Sequence, residues 1–215
     1  MRRKTQGFTL IEIMVVITII AGLVTAVAIM VPKMQETARQ TSCLSNLNGL
    51  GQMYITKAME KGSAAAAQRY SGVALWLSYR KTGKEGILRG QEKALMCPGD
   101  PNFLLPENEE DRKQWDNIDL DNPQDNLCSY AARDFKAHAI NIESPNKEII
   151  GCDRQGSNGR TPHHKGVIIC TFNEGDAQKM TREDLGIATD EDIVVGPEAS
   201  SKMLQNVIYI KRKSE

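Results

Sequence analysis

Phe8 to Val31 is an almost unbroken apolar run of 24 residues, with Glu12 its only charge and Pro32 directly after it. At about 1.5 Å per residue, a helix of that length spans roughly 36 Å, enough to cross a bilayer with some tilt. Pro32 interrupts the run without having to end the helix, because a proline kink is a common outcome in such segments. From Lys33 to Lys61 the pattern turns amphipathic. Met34, Ala38, Leu44, Leu47, Gly51, Tyr54, Ile55, Ala58 and Met59 recur at three- and four-residue steps, with Glu36, Arg39, Gln40, Asn46 and Asn48 between them. One apolar stripe at helical period predicts that the helix continues, and Gly62 is a plausible stop. The reading is one long helix, with 8–31 apolar and 32–62 an amphipathic continuation packed on a head formed by residues 63–215.

In that head, Ser63–Gln68 is a short alanine-rich bridge, and Ala74–Arg80 reads as a short helix ending near Gly83. Pro98–Asn126 is rich in Pro, Asp, Glu and Asn and reads as a loop, with a helical turn around Glu109–Trp115. Strands are expected to dominate the C-terminal part. Glu148–Cys152, Gly166–Phe172 and Asn206–Ile210 are short runs rich in β-branched residues. Asn173-Glu174-Gly175-Asp176 after the second run is a hairpin signal, with Gly175 free to take a positive φ. The predicted class is α+β, a long N-terminal helix on a small antiparallel sheet.

Charge changes the picture at one end only. The chain has 27 basic and 27 acidic residues, so nothing in the balance argues for nucleic acid. Met1-Arg2-Arg3-Lys4, however, sets three positive charges just before the apolar run. Such a leader, residues 1–7, places the N-terminus in the cytoplasm and exports the head. A secretory signal peptide has a shorter apolar core and a small-residue cleavage site after it, so it fits poorly. A plain anchor accounts for the length but not for Glu12, since an acid inside a spanning helix costs about 2.5–3.5 kcal/mol on insertion scales. Snorkelling of Glu12 to the head groups is the simpler alternative.

Gly7-Phe8-Thr9-Leu10-Ile11-Glu12-Ile13-Met14-Val15-Val16-Ile17, behind the basic leader, resembles the prepilin peptidase recognition segment of type IV pilins and type II secretion pseudopilins. The resemblance implies cleavage between Gly7 and Phe8 on the cytoplasmic face by a membrane-embedded prepilin peptidase, then N-methylation of Phe8. It implies that Glu12, with Phe8 and Thr9, acts in subunit assembly, the carboxylate of Glu12 pairing with the Phe8 amine of a neighbouring subunit. The implied partners are other pilin or pseudopilin subunits, the inner-membrane assembly platform and the bilayer. The implied location is a single pass through the inner membrane, with passage into a periplasmic or surface filament. The alternative is a membrane-anchored, non-polymerising binding protein at the cell surface.

A second resemblance runs through the head. Cys43-Leu44-Ser45-Asn46-Leu47, Cys97-Pro98-Gly99-Asp100, Ser129-Tyr130, and His164 followed after nine residues by Glu174-Gly175 are similar, in order, to motifs of a large pilin-like subfamily. That subfamily has Asp where this chain has Glu174.

The five cysteines are Cys43, Cys97, Cys128, Cys152 and Cys170. In an exported head, Cys97 and Cys128 are expected to bracket the acidic loop as a disulfide, and Cys170 to be a core thiol. The acidic loop (Glu107, Glu109, Glu110, Asp111, Asp116, Asp119, Asp121, Asp125) offers oxygen ligands of the kind Ca²⁺ prefers but lacks EF-hand spacing, so a solvated loop is the expectation. Asp153, His163, His164 and Asp176 are conceivable metal ligands. Loop histidines beside a glycine are read first as surface or hydrogen-bonded structural residues. There is no Gly-x-Ser-x-Gly, His-Glu-x-x-His, phosphate loop or dinucleotide fingerprint, so neither an enzyme nor a cofactor is expected.

Overall fold

A computed structural model of the chain describes residues 9–60, 68–80, 90–103, 105–140, 144–155, 161–164 and 166–208. The chain divides into two units, Met1–Ala38 and Arg39–Glu215. One helix, α1 (Leu10–Glu60), contributes to both and contains Pro32 in its interior.

In the first unit the large apolar side chains from residue 10 to 31 are all exposed, from 40% at Val31 to 77% at Leu10. Among the described residues, α1 is the helix long and apolar enough to cross a membrane. Its hydroxyls are satisfied within the helix. Thr18 donates to the Met14 carbonyl at 2.7 Å and Thr25 to that of Ala21 at 2.8 Å. Internal satisfaction of polar groups is what a lipid environment demands.

In the second unit α1 buries Cys43, Leu47, Leu50, Gly51, Tyr54 and Ala58. The stripe differs from the expected one at its ends. Met34 and Met59 are 69% and 75% exposed, while Cys43 and Leu50 belong to the buried face. Helix α2 (Val73–Arg80) buries nearly every residue. Helix α3 (Glu109–Asp116) sits in the acidic loop and is capped by Asn108, whose side chain accepts from the Glu110 and Asp111 amides.

Among the described residues the main sheet has five antiparallel strands, β1 (Ala131–Arg133), β2 (Ile149–Cys152), β5 (Val167–Phe172), β6 (Ala177–Thr181) and β7 (Val207–Ile208). Across the sheet they run in the order β6-β5-β2-β1-β7. Two further short strands, β3 (Arg154–Gln155) and β4 (Thr161–Pro162), pair with each other. The expected hairpin joins β5 to β6, with Gly175 at φ 84°. Strands β1 and β6 lack the β-branched runs that announce β2, β5 and β7. The C-terminal expectation of strand changes too: between β6 and β7 the chain runs in turns and bends. Those turns still bury Leu185, Ile187, Ile193, Val195 and Leu204 in the core. Residues 209 and 210 of the predicted last strand, Gly62 and Gly83 lie outside the described residues.

Register explains how the helices seat. Gly151 pairs with Thr171, so both point to one face of the sheet. Thr171 donates to the Leu47 carbonyl of α1 at 3.3 Å, and a Cβ on Gly151 would meet the Trp76 ring of α2 at 2.3 Å. The face that receives α1 therefore also receives Trp76, whose indole donates to the Ala131 carbonyl at 3.0 Å.

Candidate functional site

The first candidate site is the start of α1. Gly7 and Phe8, the expected cleavage and methylation positions, lie outside the described residues. The structure begins at Thr9 and Glu12. The Glu12 carboxylate accepts from the Thr9 amide at 2.7 Å and from the Thr9 hydroxyl at 2.8 Å, both at Oε2. The Glu12 amide donates back to the Thr9 hydroxyl at 3.3 Å. This is a capping box, in which two residues three apart satisfy donors left over by the first turn. Its signal in the sequence is Thr9-x-x-Glu12 before an apolar run. It gives Glu12 a local function beside any intermolecular one.

The second candidate site is inside the head, where the spaced motifs converge. Asn46 on α1 donates to the carbonyls of Lys93 (3.2 Å) and Met96 (2.8 Å). The Tyr130 hydroxyl donates to the same Met96 carbonyl at 2.8 Å. These bonds fix the strand of chain that leads into Cys97-Pro98-Gly99-Asp100. Gly99 packs against His163, where a Cβ would lie 2.3 Å from the carbonyl oxygen. Gly175 packs against α1, and its carbonyl accepts from Gln52 at 3.2 Å. Glu174 is on the surface, 3.1 Å from Lys147. The site does not use its carboxylate, so Glu in place of Asp costs the arrangement nothing visible.

Cys43, Cys97 and His164, from three different motifs, meet in the interior together with Asp153. The Cys97 Sγ lies 3.3 Å from His164 Nε2, and His164 Nε2 lies 3.7 Å from Asp153 Oδ2. Cys43, Cys97 and Asp153 are fully buried and His164 nearly so. Burial pushes the Cys43 thiol well above its ordinary value. The Cys97 thiol moves down, chiefly through the hydrogen bond from Cys43 and then through His163 and His164, against the desolvation of burial. Of the four conceivable ligands, then, Asp153 and His164 come together, and two cysteines join them. His163 stands next to the group, 3.8 Å from Asp100. Asp176 is elsewhere, bonded to Gln178 at 2.6 Å. The histidines are buried rather than on the surface.

The expected Cys97–Cys128 disulfide is absent, and none of the five cysteines is in a disulfide. The cause is geometric. Cys97 turns to Cys43 and His164, while the Cys128 thiol donates to the Tyr130 carbonyl at 3.6 Å and burial raises it to about 12. Cys170 is the fully buried thiol expected of it. The acidic loop contributes none of the side chains that converge on a possible ion position among the described residues. Its acids cap and pair locally instead: Asp116 accepts from Arg112 at 2.9 Å, and Asp119 from the Asp121 amide at 2.9 Å.

Residues 2–29 match the family described as the prokaryotic N-terminal methylation motif. Neither a curated protein nor a solved structure matches the chain. The motif marks a prepilin-type substrate, and the long apolar helix with a small sheet head fits a pilin-like protein. Such a motif points to a structural subunit rather than an enzyme and is consistent with membrane anchoring.

Proposed function

We propose that the chain is the precursor of a pilin or pseudopilin, cut after Gly7 by a prepilin peptidase, N-methylated on Phe8, and assembled through its apolar helix into a type IV pilus-like or type II secretion filament. The observation that carries this reading is the first stretch of α1: wholly apolar from Leu10 to Val31 but for its threonines and Glu12, with its large side chains exposed. A surface of that kind needs lipid or like helices around it. Before assembly it spans the inner membrane with the head exported. After assembly, neighbouring copies of the same segment replace the lipid. Glu12 supplies the one charge in that surface, and the amine freed at Phe8 is the complementary charge on the next subunit.

The test is intact mass with N-terminal sequencing of the chain from its native membrane. A chain beginning at methylated Phe8 supports the reading, and one retaining residues 1–7 overturns it. The capping box favours a second reading, an anchored protein that never polymerises, because it accounts for Glu12 without a partner. Glu12→Gln separates the two. The amide oxygen still accepts from Thr9, so the cap survives, but the charge is gone. Loss of filament incorporation with processing intact favours assembly. Unchanged incorporation removes the charge-pairing role.

A further inference from the structure

We propose that Cys43, Cys97, Asp153 and His164 form a structural zinc site that staples the head together, a site that does not depend on how the N-terminal helix is used. The four residues come from four places in the chain: α1, the turn after a 3₁₀ segment (Glu92–Leu95), the residue after β2, and the link between β4 and β5. No local spacing dictates that they meet, yet one ligand atom from each falls within 4.8 Å of all the others. Tetrahedral zinc has bonds of roughly 2.3 Å to sulfur and 2.0–2.2 Å to nitrogen or oxygen, which gives ligand-to-ligand edges of roughly 3.3–3.8 Å. Two of the six ligand-to-ligand distances, 3.3 Å from Cys97 to His164 and 3.7 Å from His164 to Asp153, lie in that range, and the others stay within 4.8 Å.

The donors are chemically matched as well. Two sulfurs, one imidazole nitrogen and one carboxylate oxygen form a set that zinc accepts and that Ca²⁺ and Mg²⁺, which take oxygen, do not. On binding, each thiol gives its proton to solvent as a zinc–sulfur bond forms, and the dication offsets charge that the interior could not otherwise hold. The ligands are also held. The Oδ1 of Asp153 accepts from the Ile169 amide at 2.5 Å, leaving Oδ2 turned toward His164. Around the group stand the buried side chains of Asp100 and His163, 3.8 Å apart. Outer groups of that kind orient ligands and tune the ion. Four protein donors in an interior closed to solvent leave no open position for substrate, so the role is structural.

The experiment uses the full chain, extracted in detergent without chelator and assayed by elemental mass spectrometry and zinc-edge X-ray absorption. The expected result is stoichiometric zinc with two sulfur neighbours near ~2.3 Å and two lighter ones near ~2.0 Å. His164→Ala and Cys97→Ser should drop zinc to background. Cys170→Ala, outside the group, should keep it all. Because a ligand variant can simply fail to fold, the wild-type chain is also melted with chelator and again with zinc restored. Chelation should lower its midpoint and zinc should return it. Zinc at background together with no shift on adding zinc overturns the proposal, as does a Cys43–Cys97 disulfide found by peptide mapping of the native chain.

Discussion

Two glycines on α1, two residues apart, should respond in opposite directions to the same substitution. Alanine in place of a helical glycine is worth up to about 1 kcal/mol through backbone entropy alone. At Gly49 a Cβ meets nothing within 4 Å, so Gly49→Ala should stabilise the head by about 0.5–1 kcal/mol. At Gly51 the same Cβ would lie 2.5 Å from the Gly175 carbonyl oxygen and 2.6 Å from Thr171 Cγ2. Neither neighbour gives easily. The Gly175 carbonyl sits in the β5–β6 turn, which is held by the Gly175 amide bonding to Phe172 at 2.9 Å. Thr171 is fully buried, and its hydroxyl is tied to Leu47. Overpacking of this kind costs about 1–3 kcal/mol and outweighs the helix gain, leaving Gly51→Ala destabilised by about 1–2 kcal/mol. At about 2–4 °C per kcal/mol for a domain of this size, the melting midpoints should part by several degrees, one above wild type and one below. Trp76 and Trp115 are both fully buried in the head, so their fluorescence reports its unfolding. If both variants shift upward together, α1 does not dock on the β5–β6 turn as described, and the account of Gly175 fails with it.

Gly151→Ala should be at least as damaging, because its Cβ would lie 2.3 Å from Trp76 Cζ2 and 2.8 Å from the Ala131 carbonyl. A loss of about 3 kcal/mol in denaturant unfolding, with altered Trp76 emission, is expected. Arg112 on α3 and Glu92 form a buried ion pair, both under 10% exposed. Arg112→Met should cost about 3–5 kcal/mol by stranding the Glu92 charge, and adding Glu92→Leu should recover most of it. A double variant no better than the single one in urea unfolding would refute that account.

How much was legible follows from whether the signal was local. The apolar run, the helical stripe around Leu47 and Tyr54, the Ala74–Arg80 helix, and the Gly166–Phe172 strand with its Gly175 turn each advertise themselves within a few residues, and each is present. Strand β6, Ala-Gln-Lys-Met-Thr, did not, because an edge strand with its side chains mostly in water keeps no hydrophobic alternation. Strand β1 contains two alanines and an arginine, and its identity comes from its neighbours. Arg133 is buried there because Glu148 meets it at 2.7 Å and the His138 carbonyl at 2.7 Å, partners that lie apart in sequence. The cysteines failed for the same reason. Two cysteines flanking a loop suggest a disulfide, but side-chain direction decides the matter, and Cys97 turns to His164 and to Cys43 on α1.

The spaced motifs of the head share one physical purpose, which explains why so few residues carry so long a pattern. Seating a helix on a sheet at close range requires small residues where backbones touch and side-chain bonds where loops end. Gly51 and Gly175 provide the close approach, with Gln52 bonding to Gly175 and Asn48 accepting from the Ala177 amide at 2.7 Å. Asn46 holds the 93–96 segment at its carbonyls, and Gly99 lets the following turn reach His163. Asn48 and Gln52 bring the β5–β6 turn to one edge of the buried face of α1, and Asn46 brings the 93–96 segment to the other. Cys43 lies on that face, one helical turn before Leu47, and Cys97 and His164 arrive on the stretches that Asn46 and Gly99 position. Glu174 stands outside this scheme on the surface, so its glycine neighbour is the part of that motif the packing needs. A pattern that fixes only contact points leaves the rest of the head free to vary. A metal at the meeting point would make the stapling insensitive to that variation, since its ligands bind wherever the four segments are held together.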